Sequence, residues 1–162
     1  MTKLAPLERA EARHLKIRPA KSDDHLALYA MIHALAAHHG DEATVNQSEL
    51  ATLLTAPNPP LNILIATLSG TPVGYAALRL FVKLHLGARI LDIDHLFIAA
   101  PFRRQGIGRA LIAAAEEQAR ERGCQSLTIG TDPANVAAQA AYRAIGFDER
   151  PLPGPRFRKC LD

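Results

Sequence analysis

The segment from Leu96 to Ile112 constrains this chain more than any other. An apolar run, Leu96-Phe97-Ile98-Ala99-Ala100, stops at Pro101; Arg103, Arg104 and Gln105 follow, then Gly106 and Gly108 one residue apart, and a helical pattern begins at once. This reads as a strand feeding a glycine-rich turn into a helix N-terminus. Such a terminus presents unpaired N–H groups and the positive end of the helix dipole, and so attracts phosphate. Glycine lets the backbone approach an anion closely. Arg103, Arg104 and Arg109 add formal charge. The segment is a candidate pyrophosphate cradle, and a nucleotide-type cofactor is the first functional inference.

Around that turn the pattern predicts a mixed sheet. Leu15 to Pro19 alternates apolar and basic residues as a short strand. Ser22 or Asp23 is placed to cap a helix with Leu26, Tyr29, Ala30, Ile32, His33, Leu35 and Ala36 inward, ended by Gly40. Asn46 or Ser48 caps a shorter helix carrying Leu50, Leu53 and Leu54, which Pro57, Pro59 and Pro60 terminate. Strands follow at Leu61–Leu68, Val73–Val82 and Ile90–Ala99, then a helix over Gly106–Arg122 with Ile107, Leu111, Ile112, Ala115 and Ala119 in one stripe. A strand over Ser126–Thr131, a helix over Asn135–Ala144 with Ala138, Ala141 and Tyr142 inward, and a last strand over Arg156–Cys160 complete the order β-α-α-β-β-β-α-β-α-β. Helices on both faces of a mixed α/β sheet are expected, not the regular alternation of a doubly wound fold. The domain reading is a flexible tail over residues 1–14 and a single domain over 15–162.

Composition narrows the function. At 162 residues a chain buries roughly 70% of its unfolded surface, enough for a full core. Net charge is +3, the arginines gather near the glycine turn and the C-terminal end, and aromatics are only 5%, so the chain lacks the broad basic face with interleaved aromatics that nucleic acid requires. No apolar run approaches the length of a membrane span. Cys124 and Cys160 sit in no Cys-x-x-Cys or metal-type cluster and suit a reducing cytoplasm. No metal site is expected. Two glycines alone also fit a ligand-free turn. A dinucleotide-binding fingerprint would need glycine where Leu111 stands, and a Gly-Lys-Ser/Thr phosphate loop is absent.

The wider segment is more specific. Arg103-x-x-Gly106-x-Gly108, after an apolar strand and before Ala110-Leu111-Ile112, resembles the coenzyme-A-binding motif of the GNAT superfamily of N-acetyltransferases; Asn135-x-x-Ala138-x-x-x-Tyr142-x-x-x-Gly146-Phe147 is similar to that superfamily's following helix. The resemblance implies acetyl-CoA as cofactor, with the backbone of Leu96, Phe97 and Ile98 along the pantetheine arm, the amides of Arg104, Gln105, Gly106, Ile107, Gly108 and Arg109 on the pyrophosphate beside Arg103, Asn135 on the pantetheine side, and Tyr142 near the sulfur. Direct transfer to an amine needs a deprotonated acceptor, a polarised thioester carbonyl and a protonated leaving thiolate, and Tyr142 is a fitting acid for the last. On its own, a tyrosine on an apolar helix face equally reads as a core residue.

The acceptor end is read from Asp92-Ile93-Asp94-His95. Period 2 places Asp92 and Asp94 on one face and Ile93 and His95 on the other, unless a bulge intervenes. The carboxylates suit a cationic acceptor, and Asp94 or His95 is the candidate base; solvated strand carboxylates and a packing histidine are the plain alternative. Leu15 to Ala20, Asp41-Glu42, Glu49-Leu50 and Asp94 to Ile98 together resemble the diamine (spermidine/spermine-type) N-acetyltransferases, with His95 where that family has a second acid. His38, His39, Asp41 and Glu42 follow the first helix and either line the pocket or form a solvated loop. The resemblance thus implies a small cationic amine, a polyamine or diamino acid, and two copies pairing as a homodimer through Asp148 to Asp162. An acetyltransferase for protein or peptide amines, a non-catalytic acyl-CoA-binding module and a nucleotide-binding regulator are the competing readings.

Overall fold

The computed structural model describes residues 14–150 and 157–161, which fall into two compact units, one up to Gly130 and one from Thr131 on. The first unit is a five-stranded sheet in the order β1 (Leu15–Pro19), β2 (Asn62–Leu68), β3 (Thr71–Lys83), β4 (Ala88–Ile98), β5 (Ser126–Ile129). All neighbours are antiparallel except β4 and β5. Between the strands run α1 (His25–His39), α2 (Gln47–Thr55) and α3 (Ile107–Glu121); the second unit contains α4 (Val136–Ile145). No helix among the described residues is long and apolar enough to cross a membrane.

Alternation along the strands assigns the two faces. Ile63 and Ile65 of β2, Tyr75 and Ala77 of β3 and Phe97 of β4 form one cluster with Leu28 and Met31 of α1 and Leu50 of α2. The opposite face takes α3, which lies against β1 to β4 and buries the five predicted residues Ile107, Leu111, Ile112, Ala115 and Ala119. Burying five such side chains contributes on the order of 5–10 kcal/mol, at about 1.5–3 kcal/mol for each large one and less for each alanine. On α1 the expected inward set is corrected: Leu28 and Met31 are buried, whereas Leu26 and Ala30 are exposed. That helix is apolar on nearly every side, so periodicity alone does not select its buried stripe.

Other boundaries also shift. A 3-10 turn over Ser22–Asp24 precedes α1, and neither Ser22 nor Asp23 caps it. Asp24 instead binds Arg18 of β1 through two hydrogen bonds of 2.6 and 2.8 Å and accepts another from the Lys21 amide. Asn46, not Ser48, caps α2, in a reciprocal pair with Glu49 at 2.9 Å each way. The strand expected over 156–160 is not formed: Phe157 to Cys160 lie outside any element and are exposed, and Arg156 lies outside the described residues. Pro151, Pro153 and Pro155 just before it donate nothing to a ladder. Most of the tail expected over 1–14, and part of the stretch assigned to a homodimer contact, also lie outside the described residues. His14 is the exception in the tail, its carbonyl accepting from Ser69 N at 2.9 Å.

Candidate active site

The strand-to-helix passage is built as the sequence suggests. After Ile98 the chain makes a 3-10 turn over Ala100–Phe102, with Pro101 inside it. Arg103 Nε returns to Ile98 O at 3.0 Å and Gln105 Nε2 to Pro101 O at 3.2 Å, so both side chains tie the turn together. Arg104 (φ 62°) and Gly106 (φ 80°) adopt left-handed conformations, and α3 starts directly after Gly106. The first amide engaged inside the helix is that of Ala110, which donates to Gly106 O at 3.0 Å; among the described residues no backbone carbonyl accepts from the N–H groups of Arg104 to Arg109. Left-handed residues between extended or helical ones turn successive N–H groups to one side, the shape of an anion-binding concavity. The exposed Arg103, Arg104 and Arg109 surround it.

The two glycines serve different ends. At Gly106 a Cβ would meet nothing, but φ is positive; at Gly108 it would meet Ile98 Cδ1 at 3.3 Å, so Gly108 lets α3 close onto β4. Gly74 on β3 does the same from the other side, since a Cβ there would stand 2.6 Å from Phe97 O.

One edge of β4 is open. β5 pairs only with Ile90 to Ile93, whereas β3 continues along His95 to Ile98. Among the described residues no strand occupies the β5 side of Asp94 to Ile98, so this edge of β4 is open to an extended ligand arm, with Ile98 O already engaged by Arg103.

A bulge shapes the acceptor end. Ala77 and Leu78 are consecutive on β3, but their partners His95 and Ile93 are two apart, which makes Asp94 the extra residue. The period-2 assignment of His95 to the face of Ile93 is thereby overturned. Ile93 pairs with Leu78 and is buried, whereas His95 pairs with Ala77 and shares the face of Tyr75 and Phe97. Asp92, Asp94 and His95 therefore stand together. Arg79 reaches Asp92 at 3.2 Å and Asp94 at 3.4 Å, and His95 Nε2 lies 4.0 Å from Asp94 Oδ2. Thr128 donates to Asp92 at 2.5 Å, and the Tyr75 hydroxyl lies 3.0 Å from His95 Nδ1. Asp92 is thus engaged on both oxygens, while Asp94, 38% exposed at its side chain, is the freer carboxylate. Burial, reinforced by the charge of Asp94, pushes the Tyr75 phenol well above its ordinary value.

His38 lies in the last turn of α1, and Asp41 N closes the helix end onto Ala36 O at 2.9 Å. The side chains of His38, Asp41 and Glu42 are exposed, and none makes a hydrogen bond or ion pair among the described residues. The structure does not join them to the Asp94 cluster.

In the second unit, Asn135 Oδ1 caps α4 through Ala138 N at 3.1 Å, leaving its amide NH2 as a donor. Tyr142 is half-buried against Phe147, ring centroids 6.1 Å apart, and burial raises its pKa, so its phenol stays protonated. Its hydroxyl has no hydrogen-bond partner among the described residues. Tyr75, Arg79, Thr128 and Gly74 escape sequence reasoning: each lies unremarkably within a predicted strand, and only the strand register shows what it meets.

Comparison with known proteins gives the family and the fold. The model of the acetyltransferase (GNAT) family matches residues 24–147. An aminoalkylphosphonate N-acetyltransferase of Salmonella typhimurium (strain LT2) is 30% identical over 146 residues, covering 90% of this chain and 91% of the relative. A type 1 aminoglycoside N(6')-acetyltransferase of Klebsiella aerogenes is 34% identical over 108 residues, 64% of this chain and 71% of that one. Among solved structures, the aminoglycoside N-acetyltransferase AAC(6')-Iy in complex with CoA superposes with a TM-score of 0.76 at 21% identity, covering 94% of this chain and 99% of that one.

Proposed function

The chain belongs to the GNAT family of acetyltransferases and is an acetyl-CoA-dependent N-acetyltransferase, and from that premise we propose that its acceptor is the primary amine of a small cationic molecule, bound by its ammonium at Asp94. The observation that carries this reading is the bulge at Asp94, which sets two carboxylates and His95 on one face beside the open edge of β4. A polyamine, a diamino acid or an aminoglycoside presents the cation this face calls for. Arg79 supports one further acceptor: an amine whose own anionic group lies within reach of the guanidinium, as in an aminoalkylphosphonate.

The unpaired amides of Arg104 to Arg109 and the three arginines fit the diphosphate of CoA, and the free edge of Leu96 to Ile98 fits its extended arm. Acetyl-CoA supplies the acetyl group as a thioester. Backbone N–H groups on that edge are placed to polarise the carbonyl. Asp94 or His95 takes the first proton of the acceptor ammonium; the nitrogen then forms the new C–N bond as the C–S bond breaks, Tyr142, held protonated by burial, gives its proton to the sulfur, and the second proton shed by the nitrogen passes through water and restores the phenol. We place the enzyme in the cytoplasm, consistent with two unpaired cysteines.

The test is thiol release from acetyl-CoA across polyamines, diamino acids, aminoglycosides, aminoalkylphosphonates and peptides. Turnover confined to small amines carries the proposal, and turnover confined to peptides overturns it. Calorimetry with CoASH, expected to give binding heat, tests the cofactor site separately.

A further inference from the structure

Tyr75 is 1% exposed, and among the described residues the one hydrogen-bond partner of its hydroxyl is His95 Nδ1. Tyr75 belongs to a cluster with the apolar side chains Leu28, Met31 and Leu50, against which Ile32 and Tyr29 pack, and His33 of α1 stacks on Tyr29 with ring centroids 4.2 Å apart. The charged groups on this face are Asp92, Asp94 and Arg79. A buried hydroxyl that keeps its proton must donate it. Were Nδ1 to carry the proton of a neutral imidazole, two donors would face each other or the phenol proton would be left without an acceptor. A lone pair at Nδ1 satisfies both groups, and the imidazole proton then sits on Nε2, the nitrogen turned toward Asp94 across 4.0 Å. That separation is longer than a hydrogen bond, so the N–H faces the carboxylate without bonding it directly.

We propose that Tyr75 is a positioning residue that holds neutral His95 as its Nε2–H tautomer, turning the imidazole N–H toward Asp94 and removing His95 as the base. The catalytic part of this inference rests on the acetyltransferase reading. An N–H bond of the acceptor ammonium breaks, its proton passes to a carboxylate oxygen of Asp94 and on to water at the exposed side, and the freed lone pair forms the C–N bond as the C–S bond breaks, the nitrogen's second proton leaving to water and the thiolate taking one up. His95 contributes orientation and keeps its own proton throughout.

Long-range 1H–15N correlation spectra of histidine-labelled protein report the tautomer directly, with His95 identified by loss of its signals in His95→Asn. The expected result is a single Nε2–H pattern in the wild type and a mixture of tautomers in Tyr75→Phe. An Nδ1–H pattern in the wild type overturns the proposal, and that spectrum decides even where Tyr75→Phe fails to fold. In the pH profile of kcat/KM, His95→Asn is expected to keep the wild-type acid limb while losing several-fold in rate. Disappearance of a limb in the range where imidazoles titrate makes His95 the base and sinks the assignment. Should no amine be acetylated, the functional reading falls, while the spectra still decide the tautomer.

Discussion

Asp92 and Asp94 carry the same carboxylate two positions apart, and their surroundings divide the work between them. Asp92 is held by Thr128 and Arg79, whereas Asp94 sits at the bulge with Arg79 on one oxygen and His95 facing the other. Asp94→Asn is therefore expected to raise KM for cationic acceptors about tenfold or more, since a hydrogen bond to a charged group is worth about 1.5–3 kcal/mol, with KM for acetyl-CoA unchanged. Asp92→Asn is expected to lower the urea midpoint with a smaller effect on KM. Steady-state kinetics on the two variants check the division, and equal KM effects would remove it. Tyr142→Phe is expected to lower kcat about 100-fold or more while CoA binding heat persists. Because burial raises the phenol's pKa, the wild-type kcat stays level through neutral pH and falls only as the raised value is passed, a limb the Phe variant lacks. An unchanged kcat in Tyr142→Phe refutes its role as acid. Residue type and motif single out the carboxylates and the tyrosine as candidates. The company His95 keeps was not, because one extra residue in a strand reverses every later side chain and leaves no mark in the alternation itself.

At the scale of elements, the glycine turn was legible because a helix start, a strand end and two glycines all point to the same join. The division of labour inside it needed coordinates. Gly106→Ala imposes a side chain at φ 80°, a strain of roughly 1–2 kcal/mol, and the relief available is rotation of the amides on either side. Calorimetry with CoASH is expected to show a tenfold or larger loss of affinity in this variant at modest cost in Tm. Gly108→Ala meets the far end of the Ile98 side chain at 3.3 Å, which can give, so its loss of affinity is expected to be the smaller. Gly74→Ala meets the Phe97 carbonyl at 2.6 Å, and backbone cannot give without parting β3 from β4; a Tm drop well beyond the other two is expected. Equal affinity in Gly106→Ala and the wild type would show that the turn does not hold the diphosphate through its amides. Helix α1 illustrates the opposite case, where a side chain's direction was illegible: with apolar residues nearly all round, packing against the sheet alone picks Leu28 and Met31.

At the scale of the molecule, one ion pair ties the first strand to the first helix and makes stability depend on pH. Arg18 of β1 grips Asp24 through two hydrogen bonds, with the Asp24 side chain only 8% exposed. The sequence offers no sign of it, since an aspartate before a helix reads as a cap of that helix, whereas the Asp24 carboxylate makes no bond to α1 and turns back to Arg18 and the Lys21 amide. The guanidinium hydrogen bond above all, with the Lys21 amide and the charges of Arg18 and Lys21, lowers the Asp24 pKa below its ordinary 3.8, against the opposing effect of burial. A carboxyl whose folded pKa is depressed contributes stability that is fully present above the unfolded value, and loses it as pH falls through the folded one, because the unfolded chain takes up the proton first. Asp24→Asn is accordingly expected to cost about 2–3 kcal/mol at pH 7, where Arg18 loses its charged partner while 22% exposed. The gap between wild type and variant is expected to hold from pH 7 to about pH 5 and to narrow below the unfolded value of 3.8 as Asp24 itself becomes neutral. Urea unfolding of both proteins at pH 7, 5 and 3 measures that gap directly. A gap as wide at pH 3 as at pH 7 would mean that the carboxylate's charge does not hold β1 to α1, and the junction would then owe its strength to packing alone.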